Sequence, residues 1–224
     1  MIKNCQQLTE SGVWMRKKAQ SLYFFAWLAA VSLALDNYDR ETTKLAELMN
    51  WRPGEVIAEI GAGEGQMSFA ASARVGPGGH VYSTELDEKK LAHLQEEVSR
   101  RNLQNVTIVK ANLVDTNLPD GCCDAIFMRH VYHHFEKPQQ TDAAIFRALK
   151  PGGLLAIIDF PPRKGLNSVS PLNGTPKNHG GHGVPKKVLI EELVSASFEI
   201  VDESDDWPDR DDYCVIVRKP TRTE

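Results

Sequence analysis

Glu59-Ile-Gly-Ala-Gly-Glu-Gly65 sets an acid and three glycines at the end of an apolar run, Val56-Ile-Ala58. A helix-forming stretch, Gln66 to Arg74, follows directly. Such a junction can take a ligand against the backbone, because glycine has no Cβ and the first turn of a helix leaves N–H groups over. Glu85 then ends the short strand expected over His80–Thr84, behind the turn Gly76-Pro-Gly-Gly79. A carboxylate at that distance from the loop suits a ribose, whose two hydroxyls it accepts together. Spacing separates this loop from the dinucleotide fingerprint G-x-G-x-x-G, which wants glycine where this chain has Gln66. The remaining groups that could move protons are His130, His133, His134, His179, His182 and Asp159.

The pattern G-x-G-x-G, with an acid two residues ahead of its first glycine, resembles motif I of the class I S-adenosylmethionine-dependent methyltransferases. Three later features agree with that resemblance in order. They are Glu85, the His133-His134 step after an apolar strand, and the turn Leu149-Lys-Pro-Gly-Gly153. The resemblance covers roughly residues 37 to 218. It implies S-adenosylmethionine as cofactor, held by Glu59, Gly61, Ala62, Gly63, Gly65, Glu85, Leu86, Asn112, Leu113 and Arg129. Asn112 stands where the family has an aspartate near the adenine amino group; an amide oxygen can accept that hydrogen bond without charge. The implied reaction is an in-line displacement from a sulfonium, which needs donor and nucleophile held collinear and water excluded. A base helps when the nucleophile must lose a proton, and His133, His134, Asp159 and His182 are the candidates. Tyr38 is a candidate to close over the cofactor, or else an ordinary packing tyrosine. Metal binding by the histidines is the weaker reading, since isolated His spacings match by chance too often.

These residues need a scaffold that brings strand ends together. Apolar stretches of strand length (Val106–Lys110, Asp124–Met128, Leu154–Phe160) alternate with amphipathic ones such as Asp87–Arg101, where Leu91, Leu94 and Val98 share a face. Right-handed crossovers then give an α/β, Rossmann-like, doubly wound sheet of seven strands, mostly parallel. The segments Phe198–Glu203 and Tyr213–Arg218 suit a closing antiparallel hairpin. Gly61, Glu85, Asn112, Arg129 and Asp159 all fall at strand ends, where such sheets bind ligands. The stretch Pro161–Gly183 reads as a long loop over the same edge.

Residues 22–35 form a separate N-terminal story. They carry no charge, follow the basic group Arg16-Lys-Lys18, and end near a small-x-small step, Ser32-Leu-Ala34. That pattern is expected of a secretory signal or membrane anchor over residues 1–35, with Met15 as the true start and residues 36–224 as the methyltransferase domain. Export to the periplasm or anchoring at a membrane follows; the competing expectation is a buried helix of a cytoplasmic protein. Without residues 1–34 the chain loses four bases and one acid, and its formal charge moves from −4 to −7. An acidic chain lacking a Lys/Arg cluster argues against a nucleic-acid substrate, and the resemblance implies a small-molecule methyl acceptor. The acid-rich run Glu199–Asp212 reads as a solvated hairpin edge, and the adjacent Cys122 and Cys123 as packing residues. A chain that keeps the fold and binds a ligand without transferring a methyl group is the alternative.

Overall fold

The computed structural model describes residues 37–162, 174–179, 182–208 and 211–221. The expected leader over residues 1–35 and much of the Pro161–Gly183 loop lie outside the described residues. A compact unit spans Asp39–Glu224, and Met1–Tyr38 forms a second unit. No helix among the described residues is long and apolar enough to cross a membrane.

The sheet has seven strands in the order β3-β2-β1-β4-β5-β7-β6. β1 (Val56–Ile60), β2 (His80–Glu85), β3 (Val106–Lys110), β4 (Cys123–Arg129) and β5 (Leu149–Asp159) run parallel. β7 (Tyr213–Arg218) is inserted antiparallel between β5 and the edge strand β6 (Glu199–Ser204). The chain walks outward from β1 to β3 and then resumes at β4 on the other side, so the order reverses between β1 and β4. That reversal opens a crevice at the carboxyl ends of these two strands.

Among the described residues the α-helices are α1 (residues 37–48), α2 (Gln66–Val75), α3 (Glu88–Arg100), α4 (Pro138–Ala148) and α5 (Lys186–Ser195). Successive strand residues point to opposite faces. Ala58 and Ile60 of β1 join the large core under α4 and α5, with Ile126, Met128, Ile145, Leu189 and Leu193. Glu59, between them, faces α2 instead, where Ser68 meets it. α3 starts at Asp87, whose carboxylate accepts from the N–H groups of Lys89 and Lys90 and so satisfies two of the free donors of the first turn. Leu91 and Leu94 are buried and Val98 is packed beside Phe69 and Leu94, the single face that the spacing predicts.

The Lys150-Pro-Gly-Gly153 segment is not a turn ahead of β5 but its irregular first half. Cys123 pairs with Leu149 and Ala125 with Leu154, so the register slips across it. The cause is distant in sequence: Lys219, just past β7, exchanges backbone hydrogen bonds with Gly152 and Gly153 and extends the pairing through them. The acid-rich run also divides. β6 is an exposed edge carrying Glu199, Asp202 and Glu203, charges that discourage further strand pairing. Asp212, at the other end, is buried. Cys122 and Cys123 are free thiols, their sulfurs 2.9 Å apart.

Between β4 and α4 the chain makes one 3-10 turn, Tyr132–His134, which carries the site histidines. Its anchor is Tyr132, fully buried, whose hydroxyl lies 2.9 Å from Asp142 Oδ2 and 3.0 Å from Glu192 Oε2. One hydroxyl proton serves one carboxylate, so a second proton is needed to make both contacts favourable. Burial, and then the Glu192 charge, push the Asp142 pKa up to about 7, well above the ordinary carboxylate range, while the Tyr132 bond opposes them. The native state therefore holds a proton that the unfolded chain has released, and stability falls as pH rises from about 4 through about 7. Asp142→Asn removes this component. In denaturant titrations from pH 5 to pH 8 the variant is expected to lose less stability than the parent, by roughly 1–3 kcal/mol.

Candidate active site

Residues at the carboxyl ends of β1, β2, β3 and β4 enclose a cavity of about 330 Å³. Gly61 comes from the tip of β1, Glu85 and Leu86 from β2, Asn112 and Leu113 from the segment after β3, and Arg129 from β4. Six of the ten residues expected at the cofactor thus share one wall.

The glycine loop shapes that wall by steric absence. Gly61 has φ +69°, and a Cβ there would stand 2.5 Å from Val131 Cγ2, so β1 and the segment after β4 meet only because the side chain is missing. Gly65 has φ +81°, and its Cβ would meet Leu94 and Phe69 at 2.6 Å. The loop N–H groups are less free than the sequence suggests. Ala62 N–H is bonded to Thr84 O at 2.9 Å, and Gly65 N–H to Ala62 O at 2.8 Å. Gly63 N–H donates to Glu85 Oε2 at 3.0 Å. Ala62, Gly63 and Gly65 therefore build the loop from behind the wall, and their N–H groups do not converge on the cavity as anion donors.

Glu85 is the polar centre of the cavity. Oε2 accepts from Gly63, while Oε1 accepts from the N–H groups of Leu86 at 2.7 Å and Asp87 at 3.2 Å. A carboxylate offers about four lone-pair sites, so acceptor capacity remains on a carboxylate already fixed in orientation. Leu86 and Leu113 stay 46% and 59% exposed beside it, apolar surface left open at the cavity rim.

Glu59 and Asn112 depart from their expected roles. Glu59 is buried behind the loop, with Ser68 Oγ 2.5 Å from its Oε2 and Ser83 next in the chain of hydroxyls. Burial raises its pKa to about 8. Strand alternation decides this, since Glu59 points to the α2 face and away from the cavity. Asn112 lines the cavity, but its amide oxygen already accepts from the N–H groups of Val114 and Asp115 at 3.0 and 2.8 Å. It folds its own loop, the local turn that Asn favours, and so has no uncommitted carbonyl for an adenine amino group.

Arg129 reaches the wall as part of a buried network. Its Nε donates to Glu41 Oε2 at 2.8 Å, and Trp207 Nε1 donates to the same oxygen at 2.8 Å. Nη1 lies 3.1 Å from His130 Nδ1, and His130 Nε2 lies 2.6 Å from Asp212 Oδ2. His130 lines the cavity at φ +56°. The His130–Asp212 pair was not among the expected site residues, because nothing local marks one acid of an acidic run as buried.

The other candidates form a layer. His134 lies on the cavity wall; desolvation, and then the neighbouring His133, hold its pKa down to about 4. His133 and Asp159 are buried one ring behind it. The His133 ring stands 4.1 Å from that of His134, 4.9 Å from Phe160 and 5.1 Å from His182. His182 is thus edge-on to His133 and is not among the residues that line the cavity. Tyr38 belongs to the unit Met1–Tyr38 and not to the unit that holds the cavity. Among the described residues, no group of three or more His, Cys, Asp or Glu could hold a metal ion.

Residues 58–157 match the family model described as a methyltransferase domain, and these residues carry β1 through β5 with the loops that line the cavity. Over these residues the chain is similar to methyltransferase domains that use S-adenosylmethionine. The demethylmenaquinone methyltransferase of Listeria monocytogenes serotype 4a is 29% identical over 120 residues, 54% of this chain and 49% of that protein. A ubiquinone/menaquinone biosynthesis C-methyltransferase, UbiE, from Vibrio parahaemolyticus is 29% identical over 149 residues, 66% of this chain and 55% of that protein. The chain therefore spans about half the length of the curated relatives it matches. In fold it is similar to a SAM-dependent methyltransferase from Aquifex aeolicus, at a TM-score of 0.68 and 22% identity over 80% of this chain and 89% of that one.

The cavity fits S-adenosylmethionine on its own terms. Glu85 offers an oriented carboxylate to a ribose, the missing Cβ of Gly61 leaves room at the β1 tip, and Leu86 and Leu113 offer apolar edges to a flat base. The sulfonium of that cofactor supplies an activated methyl group when bound.

Proposed function

We propose that this chain transfers the methyl group of S-adenosylmethionine to a small molecule by in-line displacement. The observation that carries the reading is Glu85, held by three backbone N–H groups with acceptor capacity to spare on the wall of the cavity at the sheet reversal. The chain's own residues bind and orient. Glu85 takes the ribose hydroxyls, while Leu86 and Leu113 flank the base. The His130–Arg129 side faces the acceptor. The leaving group is a neutral thioether, so little charge has to be stabilised and alignment is the main task. Quinone-ring methyltransferases among the relatives support a ring-shaped acceptor.

Incubating the full chain with methyl-labelled S-adenosylmethionine and a panel of small ring compounds tests this. Label is expected in an acceptor, with S-adenosylhomocysteine formed in equal amount. Binding of the cofactor with no transfer to any acceptor class would favour a ligand-binding protein on the same fold.

A further inference from the structure

We propose that Cys122 is a site of reversible oxidation by small hydroperoxides, with Cys123 as the thiol that resolves it to a disulfide. The pair lies at the amino end of β4, whereas the cavity opens at the carboxyl ends, and the inference does not depend on the cofactor reading.

Adjacent residues of a regular strand point to opposite faces, which holds their side chains apart. Cys122 and Cys123 break that rule: their sulfurs are 2.9 Å apart, one thiol donating to the other. The backbone explains the contact. β4 begins only at Cys123, and Gly121 ahead of the pair has φ +61°, so Cys122 belongs to the turn and not to the ladder. Beyond the pair, the register with β1 starts only at Ala125, and Cys123 pairs with Leu149 while Ala125 pairs with Leu154. A bridge here therefore bends backbone that regular pairing barely holds.

The thiols differ as an attacking and a resolving cysteine must. Cys122 is partly exposed and Cys123 is buried. The bond from Cys123, and then the Lys150 ammonium, push the Cys122 pKa down against its partial burial and Asp120. The same sulfur contact, and then burial, push that of Cys123 up. The thiolate is the nucleophile, so attack falls to Cys122. A reactive thiolate with a second thiol touching it passes its sulfenic acid on to a disulfide before further oxidation. Cys214, in β7, is buried and its pKa is raised by that burial, so it is the unreactive reference.

The Cys122 sulfur attacks the terminal oxygen of the hydroperoxide; the S–O bond forms as the O–O bond breaks, and the other oxygen leaves as an alcohol, or as water from hydrogen peroxide. The Cys123 sulfur then attacks the sulfenic sulfur. The S–S bond forms, and the sulfenic oxygen departs as water with the Cys123 proton. Both thiols are oxidised and one hydroperoxide is reduced. Neighbouring Cα atoms stand about 3.8 Å apart, closer than in most disulfides, so the bridge is strained and a small thiol reduces it again.

The test treats the reduced full chain with hydrogen peroxide, digests it with trypsin without reduction and weighs the peptide 111–129, with Cys214 followed as reference. The peptide is expected to become lighter by two hydrogens roughly tenfold faster than the Cys214 thiol is lost, and to regain them with dithiothreitol. Cys123→Ala is expected to stop at a sulfenic acid on Cys122 that dimedone traps, and Cys122→Ala to leave Cys123 reduced. The parent peptide decides the matter even where a variant does not fold. Oxidation of the pair no faster than that of Cys214, bridges between chains in place of the internal one, or direct gain of oxygen at either sulfur without a bridge would each overturn the proposal.

Discussion

Glu85→Ala is expected to weaken S-adenosylmethionine binding roughly 100-fold, about 2.7 kcal/mol. The size follows from what one carboxylate does. Hydrogen bonds to a charged acceptor contribute about 1.5–3 kcal/mol each, and the ribose offers two. The same side chain also receives the N–H groups of Gly63, Leu86 and Asp87, so its loss loosens the glycine loop and the start of α3 together. Glu85→Gln separates the two contributions. It keeps one amide oxygen as acceptor but removes the charge, and a loss of roughly tenfold is expected. Calorimetric titration of both variants checks this, and an alanine variant that binds as tightly as the parent would remove Glu85 from the site.

Gly65→Ala is expected to destabilise the fold by about 2–5 kcal/mol, whereas Gly63→Ala costs only about 1 kcal/mol. Both glycines have positive φ, +81° and +57°, and an L side chain is strained at each. Their surroundings differ. A Cβ on Gly65 falls 2.6 Å from Leu94 Cδ2 and Phe69 Cζ, inside the small core that joins α2 to α3. A Cβ on Gly63 meets nothing within 4 Å. Thermal unfolding should therefore show a drop of roughly 10 °C for the Gly65 variant and only a few degrees for the Gly63 variant. Equal drops would mean that backbone strain, and not packing, makes glycine necessary in this loop.

What the sequence made legible was local. The strand–glycine–helix junction, the acid at the tip of β2 and the cap at Asp87 are each decided within a few residues. They stand where the spacing puts them. Glu59 shows the first limit. β1 is covered on both faces, so its apolar residues give no inside–outside pattern, and the direction of the acid cannot be read from them. Asp212 shows the second. It is one acid in a run of acids, and its burial comes from His130 and Arg129, more than eighty residues earlier in the chain. The Lys150–Gly153 segment fails in the same way, because Lys219 pairs with it from the far end of the domain. Asn112 is different. An asparagine that bonds the N–H groups two and three residues ahead is a local device, and the step Asn112-Leu-Val-Asp115 contained that signal. The family resemblance drew attention to adenine instead.

Titrating S-adenosylmethionine and, separately, NAD into the full chain by calorimetry tests the central claim most directly. One site for S-adenosylmethionine, lost in Glu85→Ala, and no heat with NAD is the predicted result. No binding of S-adenosylmethionine by the intact chain, or binding of NAD in its place, would contradict the account.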